Sequence, residues 1–146
     1  AKDMYIVRVE IAFEAAHRLL GYAGKCAQPH GHSYRLEVVA AREELDGVGL
    51  AIDFGDLKGG LKAWVDEQWD HAFLLNDRDE MLIAALRSVP ECKLYLFPGL
   101  NPSAEVLARA AYEEARRQFG ASIMVISMRV WESPTAYAEY TPVSPG

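Results

Sequence analysis

The sequence predicts an α+β fold, a four-stranded antiparallel sheet with two helices on one face, and three observations predict it. Runs rich in β-branched and aromatic residues open and close the chain. Two stretches with apolar residues at helical spacing lie between them. The length of 146 residues suits one domain, spanning residues 1–146, around one core. Hydrophobic residues make up 51% and charged residues 25%, so the chain carries enough apolar surface to fold and is not of the disordered class.

Met4 to Phe13 (MYIVRVEIAF) reads as the first strand and runs straight towards His17. Gly21, Gly24 and Pro29 interrupt any period in 18–29, a loop that carries Cys26. The second strand covers about 32–42, with Tyr34, Leu36, Val38 and Ala40 on one face; period two puts His30 and His32 on one side. The first helix covers about Asp56 to Trp69, with Leu57, Leu61, Trp64 and Val65 on its apolar face and Asp56 as its expected N-cap; Gly59 and Gly60 count against it. Between 72 and 100 the pattern is weaker, with a short helix at Glu80 to Leu86 and an extended run at Lys93 to Phe97. Ser103 caps a second long helix that runs to Phe119, and Gly120 closes it. Ser122 to Glu132 and Thr135 to Tyr140 read as the last two strands, with Ser133-Pro134 at the turn and a frayed tail from Thr141 to Gly146. Ile11, Val39 and Val125 keep either strand face from being wholly polar, so the sheet face without helices is expected to be buried by self-association.

A net charge of −6 argues against a nucleic-acid or membrane-surface binder, and an anionic substrate would need a local cluster of cations. No apolar run is long enough to span a membrane, and Ala1 to Glu10 has no signal-peptide core, which leads to the expectation of a cytoplasmic protein. Its two cysteines, Cys26 and Cys92, are then free thiols.

His30-Gly31-His32 on a strand offers two imidazoles to one metal ion, and His17 on a neighbouring strand can supply the third ligand. Three histidines with a fourth position left for water or substrate are the pattern of catalytic zinc, although His-x-His also occurs as ordinary hydrogen-bonded histidines. Cys26, beside Lys25 and near that cation, is placed to lose its proton, or is an inert thiol; Cys92 reads as structural. Asp70 and His71 can work as a pair only if the backbone turns between them or each serves a different partner, since neighbours on a regular strand face opposite ways, and the residues alone favour a solvent-exposed dipeptide. Glu132 closes an apolar strand, where a carboxylate can grip an amidine-like edge such as that of a pterin or guanine, or simply meet water. Glu105 is explained as well by a capping box after Pro102-Ser103 as by ligand contact.

Several ordered stretches resemble the family of 6-pyruvoyl- and 6-carboxy-tetrahydropterin synthases. They are Phe13 to Leu19 (FEAAHRL), Lys25-Cys26, Pro29 to Tyr34 (PHGHSY), Ile52 to Lys58 (IDFGDLK), Asp70-His71, Asn101 to Glu105 (NPSAE) and Val130 to Ser133 (VWES). The resemblance implies a T-fold subunit in trimers that stack as a hexamer, with active sites between subunits. It also implies zinc on His17, His30 and His32, a catalytic set of Cys26, Asp70 and His71, and Glu132 as the pterin anchor, with Ser103 and Glu105 beside the substrate. Three residues separate Cys26 from His30, as in family members that make 6-carboxytetrahydropterin. The activity implied is conversion of 7,8-dihydroneopterin triphosphate to 6-carboxytetrahydropterin, acetaldehyde and triphosphate, a step of queuosine and related deazapurine synthesis. Asn76 to Leu100 departs from the compact bacterial pattern, and Ser103 stands where threonine is commoner. Rival readings are a 6-pyruvoyl-tetrahydropterin synthase or a related dihydroneopterin side-chain lyase, and, in another class, a zinc- and pterin-binding protein without turnover. Arg18, Lys25 and Arg35 are the candidate triphosphate contacts by position.

Overall fold

The computed structural model describes residues 3–142; the expected tail lies, from Val143 onward, outside the described residues. The strands are β1 (Tyr5–His17), β2 (His30–Arg42), β3 (Ala72–Asn76), β4 (Leu94–Phe97), β5 (Met124–Ser133) and β6 (Ala136–Tyr140). The helices are α1 (Phe54–Gln68), α2 (Glu80–Arg87) and α3 (Ala104–Phe119), with one 3-10 turn at Lys25–Ala27. The strands form a single sheet in the order β4-β3-β1-β2-β5-β6.

The expected antiparallel four are present as β1-β2-β5-β6, but the sheet has six strands, because β3 and β4 add in parallel beside β1. β3 has a physical reason for having no alternation in sequence. Parallel strands are covered on both faces and read as continuous apolar runs, and Leu74 and Leu75 point opposite ways yet are both buried. The irregular stretch from Asn76 to Leu100 is spent on α2 and on β4, the latter extending this edge of the sheet.

The N-cap of α1 lies three residues earlier than expected. Asp53, not Asp56, is the cap: its Oδ1 accepts the Gly55 N–H at 2.8 Å and the Asp56 N–H at 3.2 Å, leaving Asp56 in the first turn. Gly60 is accommodated because a Cβ there would crowd the Gln118 side chain, which donates from Nε2 to the Gly60 carbonyl at 3.2 Å. Ser103 caps α3 through the Val106 N–H at 3.2 Å, and Gly120 ends it at φ 57°, both as expected.

α1 and α3 pack on one face of the sheet, and the core between the layers holds Ile11, Phe13, Leu36, Val38, Leu57, Leu61, Trp69, Leu107, Val125 and Met128. Each fully buried Leu there stabilises the fold by about 1.5–3 kcal/mol relative to exposure. Ile11 and Val125 therefore belong to the covered face, whereas Val39, opposite Arg8, lies on the other face, which is largely polar. It carries a lattice of ion pairs: Glu37, 3% exposed, accepts from Arg8 at 2.7 Å and Arg129 at 2.9 Å, while Arg35 pairs with Glu10 at 3.1 Å. Arg35 also lies over the Trp131 ring, 4.6 Å from its centroid.

Candidate active site

The β1–β2 register sets His17 opposite His30 and Ala15 opposite His32. Alternation then aims all three imidazoles to the helix side of the sheet, in line with Phe13, Ala15 and Tyr34. β3 covers the other edge of β1 at this end, pairing Leu74 with His17, so His17 is only 2% exposed. One nitrogen from each of His17, His30 and His32 lies within 4.8 Å of the others. Gly31 keeps this corner tight, since a Cβ there would stand 3.3 Å from the Ala15 carbonyl oxygen.

The proton positions follow from the partners. His17 Nδ1 is 2.7 Å from the Pro102 carbonyl, and His30 Nδ1 is 2.6 Å from the Gln28 carbonyl. Carbonyl oxygens only accept, so in both rings Nδ1 carries the hydrogen and Nε2 presents a lone pair. Those two Nε2 atoms are 3.0 Å apart. Two lone pairs that close repel unless a cation lies between them or one ring is protonated, and burial holds the His17 imidazole below its ordinary pKa. Burial likewise lowers His32, whose Nε2 is enclosed without a hydrogen-bond partner and lies 3.3 Å from Glu132 Oε2. Neutral rings, backbone carbonyls that fix the tautomer and an unsatisfied third nitrogen together fit a bound divalent metal.

Tyr34, not singled out in the sequence, packs its ring against both His17 and His32, with centroids at 5.9 and 5.3 Å. Its hydroxyl is buried without a partner, and burial, with Glu132 and Cys26 nearby, drives its pKa far up, so it stays a neutral donor. The signal was available: Tyr34 continues the period-two row of His30 and His32. Cys26 sits in the 3-10 turn, half-buried, with its carbonyl accepting the Leu19 N–H at 2.8 Å.

Asp70 and His71 do form a pair, because the backbone turns there: His71 has φ 61°, and its Nδ1 is 3.0 Å from Asp70 Oδ2. Both residues grip the edge of β1, His71 N–H donating to the Glu14 carbonyl at 2.6 Å and Asp70 Oδ1 accepting the Glu14 N–H at 2.9 Å. Burial raises the Asp70 pKa, but the Glu14 amide and His71 outweigh it and hold it below its usual value. The His71 side chain is 78% exposed and opens on a cleft of about 460 Å³ with Glu14, Ser33, Cys92 and Lys93. Glu14 and Ser33 belong to the face of the sheet opposite His17. His32 of the triad also lines this cleft, so the pair and the triad share one end of the sheet, with the pair towards the face opposite His17.

Glu132 and Glu105 line a common hollow of about 440 Å³ with Tyr137 and Glu139, so the structure joins the triad to Glu105 by way of Glu132. Ser103 spends its hydroxyl on the helix cap. Of the expected triphosphate contacts, Arg18 is forked onto the buried Asp79 and Arg35 lies on the ion-paired face. Lys25 is exposed beside Cys26. A larger cavity of about 720 Å³, between Tyr95, Leu100, Val106 and Tyr140, lies away from the histidines.

A fold of two helices on a curled sheet, with three histidines gathered where its first two strands meet, is that of a T-fold pterin synthase. A family model described as 6-pyruvoyl tetrahydropterin synthase matches residues 6–143, and the chain belongs to that family. It is 33% identical over 131 residues to a 6-carboxy-5,6,7,8-tetrahydropterin synthase of Rickettsia felis, covering 88% of this chain and 94% of the relative. To the enzyme of the same name in Haemophilus influenzae it is 32% identical over 143 residues, covering 94% and 99%. An uncharacterized protein from Wolinella succinogenes shares the fold with a TM-score of 0.81 at 20% identity, covering 96% and 99% of the two chains. The Caenorhabditis elegans 6-pyruvoyl tetrahydropterin synthase does so with a TM-score of 0.70 at 21% identity, covering 97% and 98%. Among the described residues no helix is long and apolar enough to cross a membrane.

Proposed function

We propose that this chain is a zinc-dependent 6-carboxy-5,6,7,8-tetrahydropterin synthase, acting on 7,8-dihydroneopterin triphosphate in queuosine or related deazapurine synthesis. The observation that carries the zinc reading is the facing pair of Nε2 atoms on His17 and His30, each with its Nδ1 hydrogen committed to a carbonyl. Relatives that carry the 6-carboxy name support the choice of product. Zinc held by His17, His30 and His32 would supply Lewis-acid polarisation of side-chain oxygens on the substrate.

The remaining chemistry falls to the chain's own groups. Glu132, beside His32, is the anchor for the amidine edge of the pterin, and Glu105 lines the same hollow. Cys26 moves a proton to or from the substrate side chain, and the Asp70-His71 pair is the second acid-base element. Ser103 acts chiefly by starting α3, which fixes the wall that carries Glu105.

The His71 side chain is 78% exposed and points towards the face opposite His17, which favours a site that draws the triad and His71 from two copies. Assembly into trimers that stack as a homohexamer suits this arrangement. Among the described residues the outer edge of β1 pairs with no strand from Tyr5 to Phe13, and β4 and β6 are the terminal strands of the sheet, while Tyr5 and Ile6 are exposed. The two free thiols suit a reducing cytoplasm. Incubation of zinc-loaded protein with 7,8-dihydroneopterin triphosphate, with every product identified, tests the reading. Binding without consumption would leave a pterin-binding protein, and a pyruvoyl product would make it the other synthase of the family.

A further inference from the structure

Asn101 opens the NPSAE stretch, and helix capping by Ser103 does not account for what its side chain does. Its Oδ1 accepts from the Leu20 N–H at 3.0 Å and from Asn76 Nδ2 at 3.1 Å, and its Nδ2 donates to the Leu20 carbonyl at 3.0 Å. An amide joined to both polar groups of one backbone residue has a fixed orientation, because a flip would set like against like. Asn76 is itself buried and oriented, its Oδ1 accepting the Arg78 N–H at 3.0 Å.

We propose that Asn101 is a positioning residue for the metal ligand His17 and for the thiol Cys26; the inference rests on the metal reading given above. The three residues that follow His17 are each tied to a different part of the molecule: Arg18 to Asp79, Leu19 to the Cys26 carbonyl, and Leu20 to Asn101. Asn101 also turns its own chain, its carbonyl accepting the Ser103 N–H at 2.9 Å. The residue between, Pro102, then presents its carbonyl to His17 Nδ1 at 2.7 Å. One side chain thereby holds the acceptor that sets the His17 tautomer and, through Leu20 and Leu19, the turn that carries Cys26. Aspartate would lose the donor to Leu20 and place an oxygen against its carbonyl, and alanine would lose all three bonds.

The test compares Asn101→Asp and Asn101→Ala in the full chain with Val125→Ala, a core truncation at the far end of β5 that weakens the fold without touching this loop. Co²⁺ serves as a visible probe, titrated against a chelator. Both Asn101 variants should bind it about 10–100-fold more weakly with altered visible absorption, while Val125→Ala stays within about threefold of the unsubstituted protein. In metal-free protein the His17 Nδ1 hydrogen, followed by NMR, should exchange faster with solvent in the Asn101 variants only. Asn101 variants with unchanged Co²⁺ affinity, absorption and His17 Nδ1–H protection would overturn the proposal, as would an equal loss in Val125→Ala. If the alanine variant does not fold, Asn101→Asp decides alone. Failure of the unsubstituted protein to bind Co²⁺ would instead count against the metal reading, and the metal-free NMR comparison would still decide the role of Asn101.

Discussion

His17 Nε2 and His30 Nε2 face one another at 3.0 Å while the opposite nitrogen of each ring is bonded to a backbone carbonyl. A bound cation resolves that contact, so metal should stabilise the fold. At a free zinc concentration 100 times the dissociation constant the gain is about 2.7 kcal/mol, and chelation should lower the melting temperature correspondingly. His30→Ala should abolish the zinc-dependent part of the shift; a melting temperature indifferent to chelator in the parent protein would contradict the arrangement.

Burial lowers the pKa of His17 and His32 in the folded protein, so below the ordinary imidazole range the unfolded chain takes up protons that the folded chain refuses. Stability of the metal-free protein is therefore complete above about pH 6.5 and declines as the pH falls through that value. Urea titrations at a series of pH values check this. A His17→Asn variant should show a shallower decline than the parent, and an equal or steeper one would remove His17 from the effect.

Cys26 and Cys92 are both half-buried free thiols, yet only Cys26 neighbours the Tyr34 hydroxyl beside the histidines. Cys26→Ala should keep zinc and pterin binding and lose turnover by about 10²–10⁴-fold, the usual worth of a positioned acid or base. Cys92→Ala should keep activity near the parent level. Steady-state rates with direct zinc analysis decide between them, and full turnover by Cys26→Ala would take that thiol out of the mechanism.

Because His71 points towards the face opposite His17 of its own chain, sites built from two copies should complement. Cys26→Ala and His71→Ala, each inactive alone, should regain part of the parent activity when unfolded together and refolded as a mixture. A mixture as inactive as its components, although co-assembled, would place each complete site within one chain.

The sequence was most legible where one face of an element is covered and the other is not. The rows Phe13-Ala15-His17 and His30-His32-Tyr34 follow period two, and α3 announces itself by Ser103 and Gly120, so the core strands, the long helix and the grouping of the three histidines are legible in the sequence alone. β3 was hidden because burial of both Leu74 and Leu75 erases alternation. The cap of α1 was misplaced because Asp53 and Asp56 offer the same carboxylate three residues apart, and only the N–H directions tell them apart. The polar character of the open face depends on partners from distant strands, Glu37 with Arg8 and Arg129, which no local window joins. Pro102 and Gln28 contribute through backbone carbonyls, and a main-chain acceptor leaves no mark in residue type.

The zinc-dependent cleavage proposed for this chain releases a two-carbon fragment from the substrate side chain. Its most direct measurement is the amount of acetaldehyde formed per 7,8-dihydroneopterin triphosphate consumed by zinc-loaded protein, with 6-carboxytetrahydropterin followed by mass spectrometry. One acetaldehyde and one 6-carboxytetrahydropterin per substrate are expected, and neither after removal of the metal. Consumption of substrate that yields 6-pyruvoyltetrahydropterin without acetaldehyde, or acetaldehyde at an unchanged rate after the metal is removed, would contradict the account.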